Sequence, residues 1–199
     1  MKYPRLIRSR LLCLIAALIC FLGGCSNDDS VTYNYVAFEF VNSKCYAIQN
    51  FSGKVDTLQI PSQYDGYPVT YILEGVFYGC HMKELRMETI ENIYEEAFEN
   101  CRSLSNVDLG TVEIIGVRAF SGCISLKTIT IPDTVVRLET EAFLRCTNLE
   151  SVYFEGSPEY IGADVFEQNV IIYGPVGSLV EEYAKSNGLE FRSWEPATN

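Results

Sequence analysis

Residues 115–132 read IGVRAFSGCISLKTITIP. The apolar members that matter are Ile115, Phe120, Cys123, Leu126, Ile129 and Ile131. Ile129 and Ile131, with one residue between them, have the period of a strand with one buried face. Phe120 and Cys123, three apart, fit a tight helical or 3₁₀ turn with both side chains facing inward. Outward from this stretch the same frame recurs. Phe77, Phe98, Phe120, Phe143 and Phe166 follow one another in steps of 21, 22, 23 and 23 residues. Three residues after the first four phenylalanines stand Cys80, Cys101, Cys123 and Cys146. Each unit continues with apolar, two others, apolar, one other, apolar, as in Met82/Leu85/Met87, Leu104/Val107/Leu109 and Leu149/Val152/Phe154. Val55/Leu58/Ile60 is an imperfect earlier copy, and Ile72, Ile93, Ile115, Leu138 and Ile161 precede the phenylalanines. A unit of this size cannot bury its apolar side alone, but stacked units share one core. The pattern predicts a repeat solenoid, mainly β with short helical or 3₁₀ turns, its strands about 4.8 Å apart in a parallel sheet.

The frame I-x-x-x-A-F-x-x-C-x-x-L-x-x-I-x-I-P resembles the BspA-like leucine-rich repeat family. The approach segment 58–72 (LQIPSQYDGYPVTYI) and the ending 171–191 (IIYGPVGSLVEEYAKSNGLEF) are also similar to that family. The likeness covers about residues 50–191. Val76 replaces the usual alanine of the first repeat, and the last repeat lacks its cysteine. The resemblance implies a leucine-rich-repeat solenoid on a bacterial surface lipoprotein, which in some members adheres to host proteins or other cells.

Solenoid ends need covering. At the N-side VAFEF (36–40), a turn at Asn42-Ser43-Lys44 and CYAI (45–48) read as a hairpin cap. At the C-side Ser178 and Glu181 form a capping box, and Asn187-Gly188 stop a helix over Leu179–Ser186.

The amino terminus has its own logic. Lys2, Arg5, Arg8 and Arg10 precede an apolar run, Leu11–Leu22, and then Leu22-Gly23-Gly24-Cys25. A helix of that run spans about 18 Å, short of the roughly 30 Å of bilayer hydrocarbon. It reads as a signal peptide, and its end resembles the lipobox of bacterial lipoproteins, with Cys25 as the lipidated residue. Asp28 and Asp29 partly resemble the surface-export signal of Bacteroidetes-type lipoproteins. The expected organisation is a signal peptide over 1–24, a tether over 25–32, the hairpin cap over 33–50, the solenoid with its capping helix over 51–191, and a tail over 192–199. The expected location is the cell envelope, held by lipid at the outer membrane and facing outward, with a periplasm-facing anchor as the alternative.

Composition sets the partners. Setting aside residues 1–24 removes four of the 15 basic residues and none of the 26 acidic ones, leaving a net charge of −15. Such a chain repels nucleic acid and anionic headgroups; its membrane contact is expected only through the lipid anchor, and the chain is expected to be a monomer. The cysteine spacing equals the repeat period and includes no C-x-x-C pair, which argues against a metal site. Stacked inward cysteines serve as small core hydrophobes, although neighbouring coils in an oxidising compartment leave disulfides open.

No cofactor and no enzymatic activity are expected. His81, the single histidine, adjoins Cys80 but diverges from it on one turn. No phosphate loop, G-x-S-x-G or H-E-x-x-H motif is present. Asp29-Ser30-Val31, Asp56-Thr57-Leu58 and Asp133-Thr134-Val135 resemble the Bacteroidetes O-glycosylation pattern. The outward strand residues remain: Gln59, Arg86, Asp108, Thr130 and Tyr153, and beside them Thr57, Glu84, Asn106, Thr128 and Ser151. Arg86, Asp108, Thr130 and Tyr153 are the candidate ligand residues of one column, with Tyr153 foremost as a rigid amphipathic contact. The reading is an adhesin-like module for a protein or a glycan; the alternative is a structural component of the envelope without a soluble ligand.

Overall fold

A computed structural model describes residues 35–42 and 45–194. The signal peptide over 1–24, Cys25 and its tether, the first two residues of the hairpin cap, Ser43 and Lys44 of its turn, and residues 195–199 lie outside the described residues.

Each coil crosses the core twice. The longer crossings form the long-strand ladder. Its first run joins β3 (Thr57–Ile60), β6 (Glu84–Met87) and β8 (Asn106–Asp108). Its second joins β10 (Thr128–Ile131), β12 (Ser151–Phe154), β14 (Ile171–Gly174) and β15 (Glu190–Ser193). All these pairings are parallel, with Leu58 opposite Leu85 and Ile129 opposite Val152. Alternation works as the period-two pattern demands: Leu85, Met87, Ile129, Ile131, Val152 and Phe154 are buried, while Arg86 and Thr130 are exposed.

The shorter crossings form a second parallel ladder of β5 (Tyr67–Ile72), β7 (Asn92–Ile93), β9 (Ile114–Ile115), β11 (Arg137–Leu138) and β13 (Tyr160–Ile161). Here sit the apolar residues that precede each phenylalanine; Ile72, Ile93, Ile115 and Leu138 are buried. The first coil is longer because β4 (Gln63–Tyr64) folds antiparallel on β5. Its tip is Asp65-Gly66, both at positive φ, the backbone that an Asp-Gly hairpin turn requires.

Between the two ladders runs the phenylalanine spine. Phe77, Phe98, Phe120 and Phe143 are wholly buried and stack at 5.0, 5.1 and 5.2 Å with interplanar angles of 1°, 7° and 4°. Phe166 continues the stack at 5.7 Å. Burying one such ring contributes about 2–3 kcal/mol of transfer free energy. Phe51, which lies outside the repeat frame, extends the spine at the N-side, 5.1 Å from Phe77 and tilted by 46°.

The turn that carries Phe and Cys differs from a helical or 3₁₀ one. The residues two before and two after the phenylalanine are left-handed: Glu96 and Asn100, Arg118 and Gly122, Glu141 and Arg145. A 3₁₀ helix contains no such residues. The chain instead makes successive tight turns, closed by Glu99 N–H to Glu96 C=O and Cys101 N–H to Phe98 C=O. The intervening N–H groups of Glu96, Phe98 and Asn100 donate to the carbonyls of Val117, Ala119 and Ser121 one coil later. Every second amide thus tightens the turn and every other one stitches coils together, which is how a buried backbone meets its hydrogen-bond demand.

The ends are closed differently. At the N-side β1 (Tyr35–Asn42) and β2 (Cys45–Ser52) form an antiparallel hairpin, and β2 adds in parallel to β5. The hairpin thus reaches Ser52 rather than residue 50. At the C-side α1 (Leu179–Ser186) has the caps that the sequence implies. The Ser178 hydroxyl accepts from Glu181 N–H, and the Glu181 carboxylate accepts from Gly177 N–H. Leu189 N–H to Ala184 C=O and Gly188 N–H to Lys185 C=O complete a Schellman stop around left-handed Gly188. Tyr183, nearly buried, stands edge-on to Phe166 at 6.2 Å. Its hydroxyl accepts the Val165 N–H at 3.1 Å and also faces the Phe166 N–H, whose counterparts Phe98, Phe120 and Phe143 donate to the next coil. Residues 192–194, expected in a tail, instead continue the ladder: Arg192 and Ser193 pair with Tyr173 and Gly174, and Trp194 N–H donates to the Gly174 carbonyl.

Candidate functional site

The cysteine ladder lies inside. Cys101, Cys123 and Cys146 are buried and Cys80 is half-buried, and all are free thiols. Each buried thiol has a partner one coil back: Cys101 donates to Phe77 C=O at 3.0 Å, Cys123 to Phe98 C=O at 3.4 Å, and Cys146 to Phe120 C=O at 3.2 Å. Burial pushes Cys80 up to about 11, Cys101 and Cys146 up to about 12, and Cys123 well above its ordinary value. Thiols held neutral in this way are poor nucleophiles and poor metal ligands. His81 is exposed beside them. No group of three or more His, Cys, Asp or Glu among the described residues is arranged to hold a metal.

The candidate column is not one continuous row. Arg86 pairs with Asp108 in the first run and Thr130 with Tyr153 in the second, but β8 and β10 do not pair. Asp108 itself accounts for part of the gap. Its carboxylate accepts the Gly110 N–H at 3.1 Å, starting a turn at left-handed Gly110 so that β8 ends early. This is a side chain competing locally with a ladder. Gly110 has no substitute there, because a Cβ would lie 1.8 Å from the Met87 carbonyl oxygen. Val107, whose counterparts Leu85, Ile129 and Val152 are buried, is left partly exposed. A depression of about 160 Å³ opens over β6 and β8, lined by Glu84, Leu85, Arg86, Asn106, Val107 and Asp108. Arg86 is largely exposed and pairs with Glu84 at 3.6 Å.

The second run carries an aromatic cluster that extends beyond the expected column. Tyr153 stacks on Tyr173 at 4.6 Å and 17°. Trp194 meets Tyr153 edge-on at 5.4 Å. Arg192 donates to the Tyr173 hydroxyl at 3.0 Å, lies 5.8 Å from its ring centroid, and pairs with Glu190 at 2.7 Å. Tyr173 could have been found from sequence, since it follows Ile172 as Tyr153 follows Val152. Arg192 and Trp194 could not, because α1 interrupts the repeat before β15.

Other outward features are structural. Thr111 and Thr134 hydroxyls donate to the carbonyls of Glu88 and Val112 one coil back, and Thr89 reaches Ser62 and Val69. Thr134 of the Asp133-Thr134-Val135 tripeptide is therefore engaged with backbone, whereas Thr57 is exposed and donates to the Glu84 carboxylate at 3.4 Å. On the turn side Arg118 pairs with Glu96 and with Glu95 at 3.3 Å, and burial together with Glu96 raises the Glu99 carboxyl.

Comparison with known proteins agrees with this architecture. The model of the BspA type leucine rich repeat region matches residues 70–182, in six copies. No curated protein matches the sequence. The fold is similar to a leucine-rich repeat protein from Bacteroides capillosus, with a TM-score of 0.54 and 28% identity over 61% of this chain and 94% of that one. It is similar to the T. pallidum leucine-rich repeat protein, with a TM-score of 0.52 and 20% identity over 79% of this chain and 95% of that one. The pneumococcal vaccine antigen PcpA shares the fold at a TM-score of 0.55 and 18% identity, over 71% of this chain and 42% of that one. With more than half its length matched and the parallel coils in place, the chain belongs to the BspA-type leucine-rich repeat family.

Proposed function

We propose that this chain is a non-enzymatic, adhesin-like module of the bacterial cell surface that binds a protein or a glycan through its long-strand face. The observation that carries the reading is the outward cluster of Tyr153, Tyr173, Arg192 and Trp194. Nothing in the coil architecture requires large aromatic side chains there, since Thr130 occupies the same column. Tyr, Trp and Arg are the residues that dominate binding hot spots, and here they stand on a rigid parallel ladder. Membership of the BspA-type family and likeness to a vaccine antigen support a surface role. The Leu22-Gly23-Gly24-Cys25 motif supports attachment by lipid at Cys25, in the outer membrane and facing outward.

The test has two parts. Protease added to intact cells should remove the protein, and Cys25→Ala should release it from membranes or stall its processing. Immobilised matrix proteins and glycans should then capture the protein, with Tyr153→Ala and Arg86→Ala weakening capture several-fold while both variants stay folded. Protection from protease on intact cells, with other envelope proteins as the only partners captured, would favour a structural envelope role instead.

A further inference from the structure

We propose that the long-strand face, from the depression over β6 and β8 across the ladder break to Tyr153 on β12, binds a neutral oligosaccharide, with Tyr153 as its aromatic platform. The inference rests on the reading of this face as the binding face and names the ligand class.

Three observations converge on this face. First, it is concave beside the break: the depression over the paired strands β6 and β8 measures about 160 Å³. That is about the space of five liquid waters, the scale of one pyranose ring. Secondly, its lining has the chemistry of a sugar. A pyranose offers a patch of C–H groups and a perimeter of hydroxyls that both donate and accept. Glu84 and Asp108 accept from, and Arg86 and Asn106 donate to, the hydroxyls of one sugar unit. One Asp108 oxygen is engaged with Gly110 N–H, which fixes the carboxylate in place.

Thirdly, the far side of the break ends in a ring face. Tyr153 and Tyr173 are near parallel, and their 4.6 Å separation matches the strand spacing, so the ring normals run along the ladder. One face of Tyr153 lies on Tyr173; the other looks toward β10, whose column residues Thr128 and Thr130 are small and exposed. From Asp108 across Thr130 to Tyr153 the surface therefore runs carboxylate, hydroxyl, aromatic face. Sugars pack their C–H side on such a face and hydrogen-bond at the rim. The acidic excess of the chain, −11 over the full sequence, selects against sialylated, sulfated or uronic glycans and for neutral ones.

Trp194 is the single tryptophan of the sequence and touches Tyr153, so its fluorescence reports occupancy. The full chain is titrated with cellohexaose, xylohexaose, mannohexaose, laminarihexaose, lacto-N-tetraose and, as the charged counterpart, polygalacturonate. Saturable binding of at least one neutral oligosaccharide, and none of polygalacturonate, is expected. Tyr153→Ala should weaken it about ten-fold by calorimetry, and Asn106→Trp, which covers the depression from its exposed side, should abolish it. Asp108→Asn keeps an oxygen for Gly110 N–H and should weaken it about five-fold with an unchanged melting temperature. No binding of any neutral sugar at millimolar concentration overturns the proposal. If a protein ligand is then captured and Tyr153→Ala weakens that capture, the face is still the binding face and only the sugar assignment falls. Sugar binding unchanged by all three substitutions overturns both.

Discussion

Two aromatic stacks run along this solenoid, and they differ in what surrounds them. The spine from Phe77 to Phe166 is buried, nearly parallel throughout, and repeats at 5.0–5.7 Å. The Tyr153–Tyr173 pair stacks as closely, at 4.6 Å, but on the outside. The same parallel register produces both. Inside, each coil must repeat the ring of its neighbour, because a smaller residue leaves a void. Outside, nothing obliges repetition: the same column holds Gln59, Arg86, Asp108 and Thr130 before reaching Tyr153. An interior stack is therefore a property of the fold, and an exterior one is a property of this chain.

The buried stack is most vulnerable at Phe120. Phe120→Ala should cost about 3–5 kcal/mol, the usual cost of deleting a large aromatic from a core. Phe166→Ala, with fewer coils beyond it, should cost less. Denaturant midpoints of the two variants measure the difference, and equal costs would deny that the spine weakens toward its end. The thiols that border the spine sharpen the same contrast through pH. Burial raises Cys101 and Cys146 to about 12 from an ordinary 9.0, so their folded-state protonation stabilises the native form below about pH 9. That contribution is lost as pH rises from there through about 12. The loss of stability between pH 9 and 11 should be shallower in Cys123→Ala than in the parent, measured by urea unfolding at each pH.

A smaller effect belongs to the end of the spine. Tyr183→Phe keeps the edge-on contact with Phe166 but strands the buried Val165 N–H. The expected loss is about 1–3 kcal/mol, and faster hydrogen exchange at Val165 should accompany it. The smallest effect on stability belongs to the outer pair. Tyr153→Ala removes a cross-strand contact worth about 0.2–1 kcal/mol, so its midpoint should barely move. A loss comparable to that of Phe120→Ala would make Tyr153 a packing residue and remove the argument for a binding face.

The periodic part of this structure was legible because burial repeats with the chain. Phe and Cys three apart, and the apolar–any–apolar strands, mark positions where one side chain is forced by the next coil. The caps of α1 were legible to the residue because Ser178, Glu181 and Asn187-Gly188 act locally. The turn geometry was not. Glu96, Asn100, Arg118, Glu141 and Arg145 take left-handed backbone without the glycine that would advertise it, held there by bonds to the neighbouring coil. The break at β8 was hidden for a related reason: Asp108 fits a strand column by spacing and leaves it by hydrogen-bonding Gly110. The outward face was half legible. Arg86 and Tyr153 could be placed, but Arg192 and Trp194 join the ladder only after a helix, where no period carries over.

The Tyr183 hydroxyl has a consequence for how such a chain can change length. In the phenylalanine turns each coil hands every second amide to the coil after it, and at the last coil one phenol stands before the amides of Val165 and Phe166. The molecule behaves like a polymer with a terminator: growth is a matter of copying a coil upstream of the terminator, and nothing downstream has to be reinvented. Duplication of residues 120–142 in frame should therefore yield a longer rod with the same two ends. The spacing between the hairpin and the aromatic cluster would grow by one ladder step, about 4.8 Å. Rod length, for a lineage of such proteins, is then a quantity that slips up or down by unequal crossing-over while the terminator stays unchanged.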